Sequence, residues 1–386
     1  MVHEPDAETL PVTVVSGPLG AGKTTLLNRV LDDPGSRDVA VIVNDMGEIN
    51  VDAERLARSA KDVDDPGIVD LSNGCICCRL QDDLVTEATR LAETRSFDAL
   101  VVESSGISEP IPVARTFLEG ADDGEIDPTD HYHLDTMVSV LDSYGFWKEF
   151  DAGASLPDEA EPDADRPLAD VLIQAIEFCD VLLCNKSDMV PDEQLQEIEA
   201  TIRTLQSRAE IVRTTYADID PSKVLDTGRF DFAAATRSAG WKRALADENG
   251  DDDHDGDGHS DHDHTAADDR SAAAEHGVTS FVYTRERPFH PERLDAWLDT
   301  WTGNVIRAKG VFQLAGREAV MGLDQAGPAV QAGPIGEWDA EDDRRTRLVF
   351  IGSDLDEQSL TATLDDCLVS ESELDSQDAF DDPFPS

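Results

Sequence analysis

Basic residues are scarce in this chain: 31 Lys and Arg stand against 83 Asp and Glu over 386 residues, a formal net charge of −52. A field of that sign repels phosphate backbones and anionic lipid surfaces, so neither nucleic acid nor a membrane is expected as a partner. Long apolar runs are missing too. No stretch approaches the roughly 18 apolar residues of a membrane span. Residues 1–11 are acidic and carry no apolar segment, which argues against a signal peptide. A cytoplasmic protein is therefore expected, in a reducing compartment where thiols stay free. Its six cysteines then pose a metal or redox question before a disulfide one. No internal repeat is present. Apolar residues, by contrast, make up 40% of the chain and alternate with the charges in long segments, which excludes a disordered acidic protein. The acidic excess is spread along the chain. That suits concentrated salt, where the Debye length contracts to about 3 Å at 1 M, and it reads as a halophile's surface.

Val12–Ser16 is a short β-branched run that enters a Gly-rich turn, and the runs Val39–Val43, Ala99–Glu103, Thr136–Leu141 and Val181–Cys184 read as strands buried on both faces. Helical patterns at Thr24–Leu31, Asp82–Glu93 and Glu193–Ser207 lie between them. Such alternation predicts an α/β fold with a mostly parallel, doubly wound sheet over residues 1–244. Acidic inserts at Gly120–Asp130 and Asp151–Arg166 are expected to be surface loops. Residues 245–276 form an acidic, His-rich linker that cannot bury a core. A small α+β domain is expected over 277–369. Its strands are Thr279–Thr284, Gly310–Leu314 and Arg347–Ile351, and its helices Pro291–Trp301 and Gln358–Leu368. Residues 370–386 are expected to be a frayed acidic tail.

Gly17-Pro18-Leu19-Gly20-Ala21-Gly22-Lys23-Thr24 matches G-x-x-x-x-G-K-[ST] between a strand and a helix. Glycines let backbone N–H groups converge on phosphate oxygens, and the helix N-terminus adds partial positive charge. Lys23 is assigned to the β- and γ-phosphates and the Thr24 hydroxyl to Mg²⁺, with Gly17, Gly20, Ala21, Gly22 and Thr25 completing the cradle. Strand, loop, Lys and helix in register argue against a Gly-rich turn that merely starts a helix. Glu103 closes an apolar strand, where a carboxylate approaches Mg²⁺ directly or through water, and Gly106 leaves a backbone N–H free for the γ-phosphate. Asn185-Lys186-Ser187-Asp188 follows a later strand. Its Asp can accept from the ring N–H and the exocyclic amine of guanine, which selects GTP over ATP. The Lys stem can cover the base, and Asn can tie this loop to the phosphate loop.

Gly74-Cys75-Ile76-Cys77-Cys78-Arg79 places three thiols in four residues, a donor set for a soft or borderline cation such as Zn²⁺. Three ligands with an exchangeable fourth position suit delivery. A redox pair is disfavoured because the spacing is C-x-C-C, and a structural zinc loop because no fourth ligand is evident. Cys179, Cys184 and Cys367 lie in apolar patterns and are expected in the core. Asn44-Asp45-Met46-Gly47-Glu48 is a candidate switch segment. Glu48 either helps hold metal or positions water, or is simply solvated. His254, His259, His262 and His264 stand among eleven carboxylates in residues 247–269. They form either a weak metal gatherer or a solvated linker. His131 and His133 read as strand-edge residues, since nothing nearby completes a site.

These segments resemble CobW-type metallochaperone GTPases. The resemblance rests on SGPLGAGKTTLLNRVL (16–31), NDMGEINVD (44–52), DLSNGCICCRLQDDL (70–84), VVESSGISEP (101–110) and CNKSDMV (184–190), then FVYTRERPFHPERLDAWL (281–298), VIRAKGVFQLA (305–315) and RRTRLVFIG (344–352). It implies GTP and Mg²⁺ as cofactors, switch loops ordered by them, and delivery of Zn²⁺ or Co²⁺ to a client metalloprotein on hydrolysis. By position Cys75, Cys77 and Cys78 match the family's metal motif and Glu103 its Mg²⁺-side acid. Asp45 stands where the family usually carries Glu. The alternative is a metal buffer whose nucleotide site does not turn over.

Overall fold

The computed structural model of the chain describes residues 9–43, 68–70, 77–104, 110–118, 127–151, 168–232, 234–235, 278–299, 304–338, 344–374 and 380–385. Two compact units result. Of the described residues, the first holds 9–149, 168–195 and 208–235; the second holds 278–385 together with 150–151 and 196–207.

The stretch 10–213 runs β1 (Leu10–Ser16), α1 (Lys23–Asp32), β2 (Val39–Val43), β3 (Ile68–Asp70), α2 (Cys77–Thr94), β4 (Ala99–Glu103), α3 (Pro110–Thr116), β5 (Tyr132–Asp142), α4 (Phe146–Asp151), α5 (Leu168–Glu177), β6 (Val181–Asn185), α6 (Asp192–Leu205) and β7 (Glu210–Arg213). Its seven strands are all parallel, in the order β3-β2-β4-β1-β5-β6-β7. Every residue of β2, β4 and β6 is buried, as strands covered on both faces require. Side chains alternate across the sheet. Val12, Val14, Ile42 and Val102 join Leu84, Ala88 and Leu91 of α2 in one apolar layer. Val15, Val41, Val101 and Val140 join Leu26, Leu27 and Val30 of α1 in the other. The chain leaves β1 toward β2 on one side and returns to β5 on the other. The order therefore reverses beside β1, where open α/β sheets bind their ligands. β5 begins four residues before the expected Thr136, and α3, α4, α5, β3 and β7 carried no expectation.

At the opposite edge of the sheet, buried Asp180 just precedes β6 and accepts a hydrogen bond from the Met137 N–H at 2.9 Å. Burial pushes its carboxyl up to about 6. The Met137 bond and Arg208 oppose that rise, while the Asp135 charge adds to it. A raised folded-state pKa stabilises below the unfolded value of about 3.8 and is lost as pH climbs through about 6. The gap corresponds to about 3 kcal/mol at most. Asp180→Asn is expected to remove that much of the stability difference between pH 4 and pH 7 in denaturant unfolding. Parallel pH profiles for the two proteins would contradict the assignment.

The second unit runs β8 (Val278–Arg285), α7 (Pro291–Asp299), β9 (Val305–Phe312), β10 (Ala319–Ala326), β11 (Ala329–Glu337), β12 (Thr346–Ser353) and α8 (Glu357–Asp366). Its antiparallel sheet is ordered β11-β10-β9-β12-β8. Leu294 of α7 and Leu364 of α8 share an apolar core with Tyr283, Phe312, Leu323 and Phe350 of the sheet. The β10–β11 hairpin, turning at Gly327 (φ 54°), was not anticipated.

The expected frayed tail is corrected. Glu373 pairs with Arg293 at 2.5 Å, and that guanidinium holds its carboxyl down at about 2. Phe384 is buried in the core of the second unit. Two of the tail's acids find arginine partners and Phe384 finds apolar ones, so the described tail residues pack on the second unit past the expected limit of 369. Cys179, Cys184 and Cys367 are buried, as expected. His133 is bonded through Nδ1 to the Thr9 hydroxyl at 2.9 Å, consistent with an edge role.

Candidate nucleotide and metal site

The phosphate loop leaves β1 at the point where the strand order reverses. Gly17 has φ 130°, and a Cβ there would lie 2.1 Å from the Val140 carbonyl oxygen. Gly22 has φ 114° and caps α1 with no side-chain hydrogen bond. No acidic residue occupies the first turn of α1, so the helix N-terminus keeps its anion-binding character. Lys23 is buried, and its ammonium donates to the carbonyls of Gly17 at 2.8 Å and Pro18 at 3.2 Å. Glu103, also buried, ends β4 beside β1, with its Oε1 3.5 Å from the Thr24 hydroxyl. A hydroxyl and a carboxylate oxygen at that spacing are hard donors that fit Mg²⁺. Thr25 follows, half-buried on α1, and Ala21 is fully buried.

Asn185 ties the base end to this loop. Its Nδ2 donates to the Ala21 carbonyl at 2.8 Å. Its Oδ1 accepts from the Ala217 N–H at 2.8 Å and the Thr214 hydroxyl at 3.2 Å. Lys186 adopts a left-handed backbone (φ 58°) and its ammonium pairs with Asp142 at 2.6 Å. Asp142 also accepts from the N–H groups of Tyr144 and Gly145, which fixes the far end of the Lys186 stem. Asp188 is exposed in a 3₁₀ turn, Ser187–Met189.

Sequence reasoning missed Asp142 and the whole Thr214–Asp218 loop. Tyr216 (φ 53°) and Ala217 (φ 51°) are consecutive non-glycine residues in left-handed conformation, a strain that clusters at functional loops. Arg29 of α1 holds them there, donating to the Tyr216 carbonyl at 2.7 Å and pairing with Asp218 at 2.8 Å. Tyr216 itself is 73% exposed. The Asp closing β5 was the one readable signal for this group.

Of the metal motif, Cys77 and Cys78 open α2 by their backbone, while their side chains and the whole of Cys75 lie outside the described residues. So do Glu48, Gly106 and His254, His259, His262 and His264. Among the described residues no group of three or more His, Cys, Asp or Glu side chains is placed to hold a metal ion. The topology does fix where the cysteine segment departs. Asp70 pairs with Val43, Val43 with Glu103, and Glu103 with Val15. β3 therefore ends at the same sheet edge as β1 and β4, three strand spacings from β1, or roughly 14 Å.

A phosphate loop at a topological switch point, a hard-donor pair beside it and the braced loop at Asn185–Asp188 define a P-loop nucleotide-binding protein of the GTPase fold. Residues 11–213 match the CobW/HypB/UreG nucleotide-binding domain and residues 278–368 the cobalamin synthesis protein cobW C-terminal domain; the chain belongs to the CobW/HypB/UreG family. It is 35% identical to zinc-regulated GTPase metalloprotein activator 1 of Dictyostelium discoideum, over 95% of this chain and 81% of that protein. It is 27% identical to the zinc chaperone CobW of Pseudomonas aeruginosa, over 92% of this chain and 90% of that one. The Zn(II)-bound YjiA GTPase of E. coli aligns at 19% identity and TM-score 0.42, covering 94% of this chain and 99% of its own, a superposition too loose to transfer geometry.

Proposed function

We propose that this chain hydrolyses GTP and couples that hydrolysis to the release of a transition metal, zinc or cobalt, to a client metalloprotein. Lys23 exchanges the loop carbonyls it now holds for β- and γ-phosphate oxygens. Thr24 and Glu103 hold Mg²⁺, which when bound neutralises charge on those oxygens. Asp188 accepts from guanine's N–H groups, and the Lys186 stem, anchored by Asp142, lies along the base. Gly106 offers its N–H to the γ-phosphate, and Glu48 positions water or assists the metal.

Cys75, Cys77 and Cys78 carry the cargo ion as thiolates, and His254, His259, His262 and His264 gather it weakly. Bound γ-phosphate orders residues 44–52 and 70–79 together and tightens the thiolate site; hydrolysis relaxes it. A coupling of 1–3 kcal/mol changes metal affinity about 5–150-fold. One observation supports the coupling: the parallel register that ends β1, β2, β3 and β4 at one edge, so the segments leaving them start from a common end. The zinc assignment draws on the relatives named above. The same reading places the protein in a cytoplasm of high salt. Among the described residues no helix is long and apolar enough to cross a membrane.

Phosphate release tests the enzymatic half. Turnover of GTP with Mg²⁺ is expected, at least tenfold faster than of ATP. A protein that binds GTP and zinc yet releases no phosphate is a metal buffer, and the proposal fails.

A further inference from the structure

We infer that the second unit carries a groove for a short peptide of the pattern Asp-Pro-Phe-Pro, filled in the free chain by residues 382–385 and open to a partner segment of the same chemistry. The inference stands apart from the nucleotide reading. Residues 380–385 join no strand of the sheet. They are held by discrete anchors instead. Arg317, between β9 and β10, pairs through Nε with the Asp382 carboxylate and donates through its two terminal nitrogens to the carbonyls of Pro385 at 2.5 Å and Phe384 at 2.6 Å. One guanidinium thus reads a carboxylate and two backbone carbonyls. The Phe384 ring is buried, edge-on to Phe312 with centroids 6.2 Å apart. Phe380 covers His290 at 4.2 Å between centroids. His290 is 7% exposed, and its Nδ1 has no hydrogen-bond partner among the described residues.

Phe384 joins the second unit's apolar core, and the contacts around it are those by which linear motifs are recognised: two aromatic anchors, one charge and fixed backbone carbonyls. Pro383 and Pro385 preset φ, and the Asp382 carboxylate accepts from the Phe384 N–H at 3.0 Å. The segment therefore loses little freedom on docking. Arg317 is the cation that meets the Asp382 carboxylate, so a visitor of the same pattern keeps an acidic residue at that position. Tethering gives the resident tail an effective concentration in the millimolar range, so a partner segment binds only by displacing it.

The test uses a labelled synthetic peptide of residues 379–386 and two chains, intact and lacking residues 380–386. The shortened chain is expected to bind the peptide at least tenfold more tightly than the intact chain, and Arg317→Ala in the shortened chain to abolish binding. A folded shortened chain that ignores the peptide overturns the proposal. Hydrogen exchange on the intact chain covers the case in which shortening unfolds the unit. Amides of Asp381, Asp382 and Phe384 are expected to exchange well before those of β9 and β12. Exchange only on global unfolding makes the tail integral core and overturns the proposal. So does concentration-dependent dimerisation through exchanged tails, which would make a second copy the occupant.

Discussion

Gly22→Ala is expected to lower nucleotide affinity by two orders of magnitude or more. A Cβ at Gly22 would lie 2.3 Å from Nδ2 of Asn185, the atom that donates to the Ala21 carbonyl. Either that bond breaks or the loop moves, and both disturb the N–H groups that face phosphate. The left-handed backbone at φ 114° adds a conformational penalty of about 1–3 kcal/mol for any side chain. Losing the bond from a buried amide costs a similar amount. Together these reach about 3 kcal/mol, or 100-fold and beyond. Gly35→Ala is the control. It shares a positive φ of 71° but has no atom within 4 Å of its would-be Cβ and lies outside the loop. It is expected to lose about 1 kcal/mol of stability and no nucleotide affinity. Fluorescent GDP titration of the two variants checks this; equal affinities would remove Asn185 as the brace of the loop.

Asp188→Asn is expected to cut GTP affinity by two to three orders of magnitude while leaving stability unchanged. The carboxylate is exposed, so its loss takes no support from the fold. In the proposed guanine reading its two acceptor oxygens meet two N–H donors on the base, and charge-assisted bonds contribute about 1.5–3 kcal/mol each. Asparagine keeps one acceptor and presents an N–H₂ group to the other donor, which reverses the sign of that contact. A base bearing a carbonyl where guanine bears the exocyclic amine is then preferred. Xanthosine triphosphate is the probe. An Asp188→Asn chain that still favours GTP would show that the guanine reading of this loop is wrong.

Much of the first unit was legible because its strands are buried on both faces. Val39–Val43 is an unbroken apolar run and Ala99–Glu103 one closed by an acid, and the structure keeps both with the same ends. The phosphate loop was legible because its glycines answer to sterics, as the Gly17 and Gly22 contacts show. Other parts left weaker marks. β11 carries Gly333, Pro334 and Gly336, which read as loop, yet it is an edge strand where proline costs no ladder bond. The Thr214–Asp218 loop has no glycine to announce its left-handed turn, which Arg29 holds from another element. The tail's acidity hid Phe380 and Phe384, whose partners lie roughly 70 to 90 residues earlier in sequence. Non-local contacts of that kind leave no periodic signature.

Coupling between the nucleotide and the thiolate segment is the claim on which the functional reading depends. Competitive zinc titration, run with a non-hydrolysable GTP analogue and Mg²⁺ and again with GDP, measures it directly. Affinity is expected to be about 5–150-fold higher with the analogue, and a Cys77→Ser, Cys78→Ser double variant to lose the difference. Equal zinc affinity in the two nucleotide states, or a difference that survives in the double variant, would contradict the account.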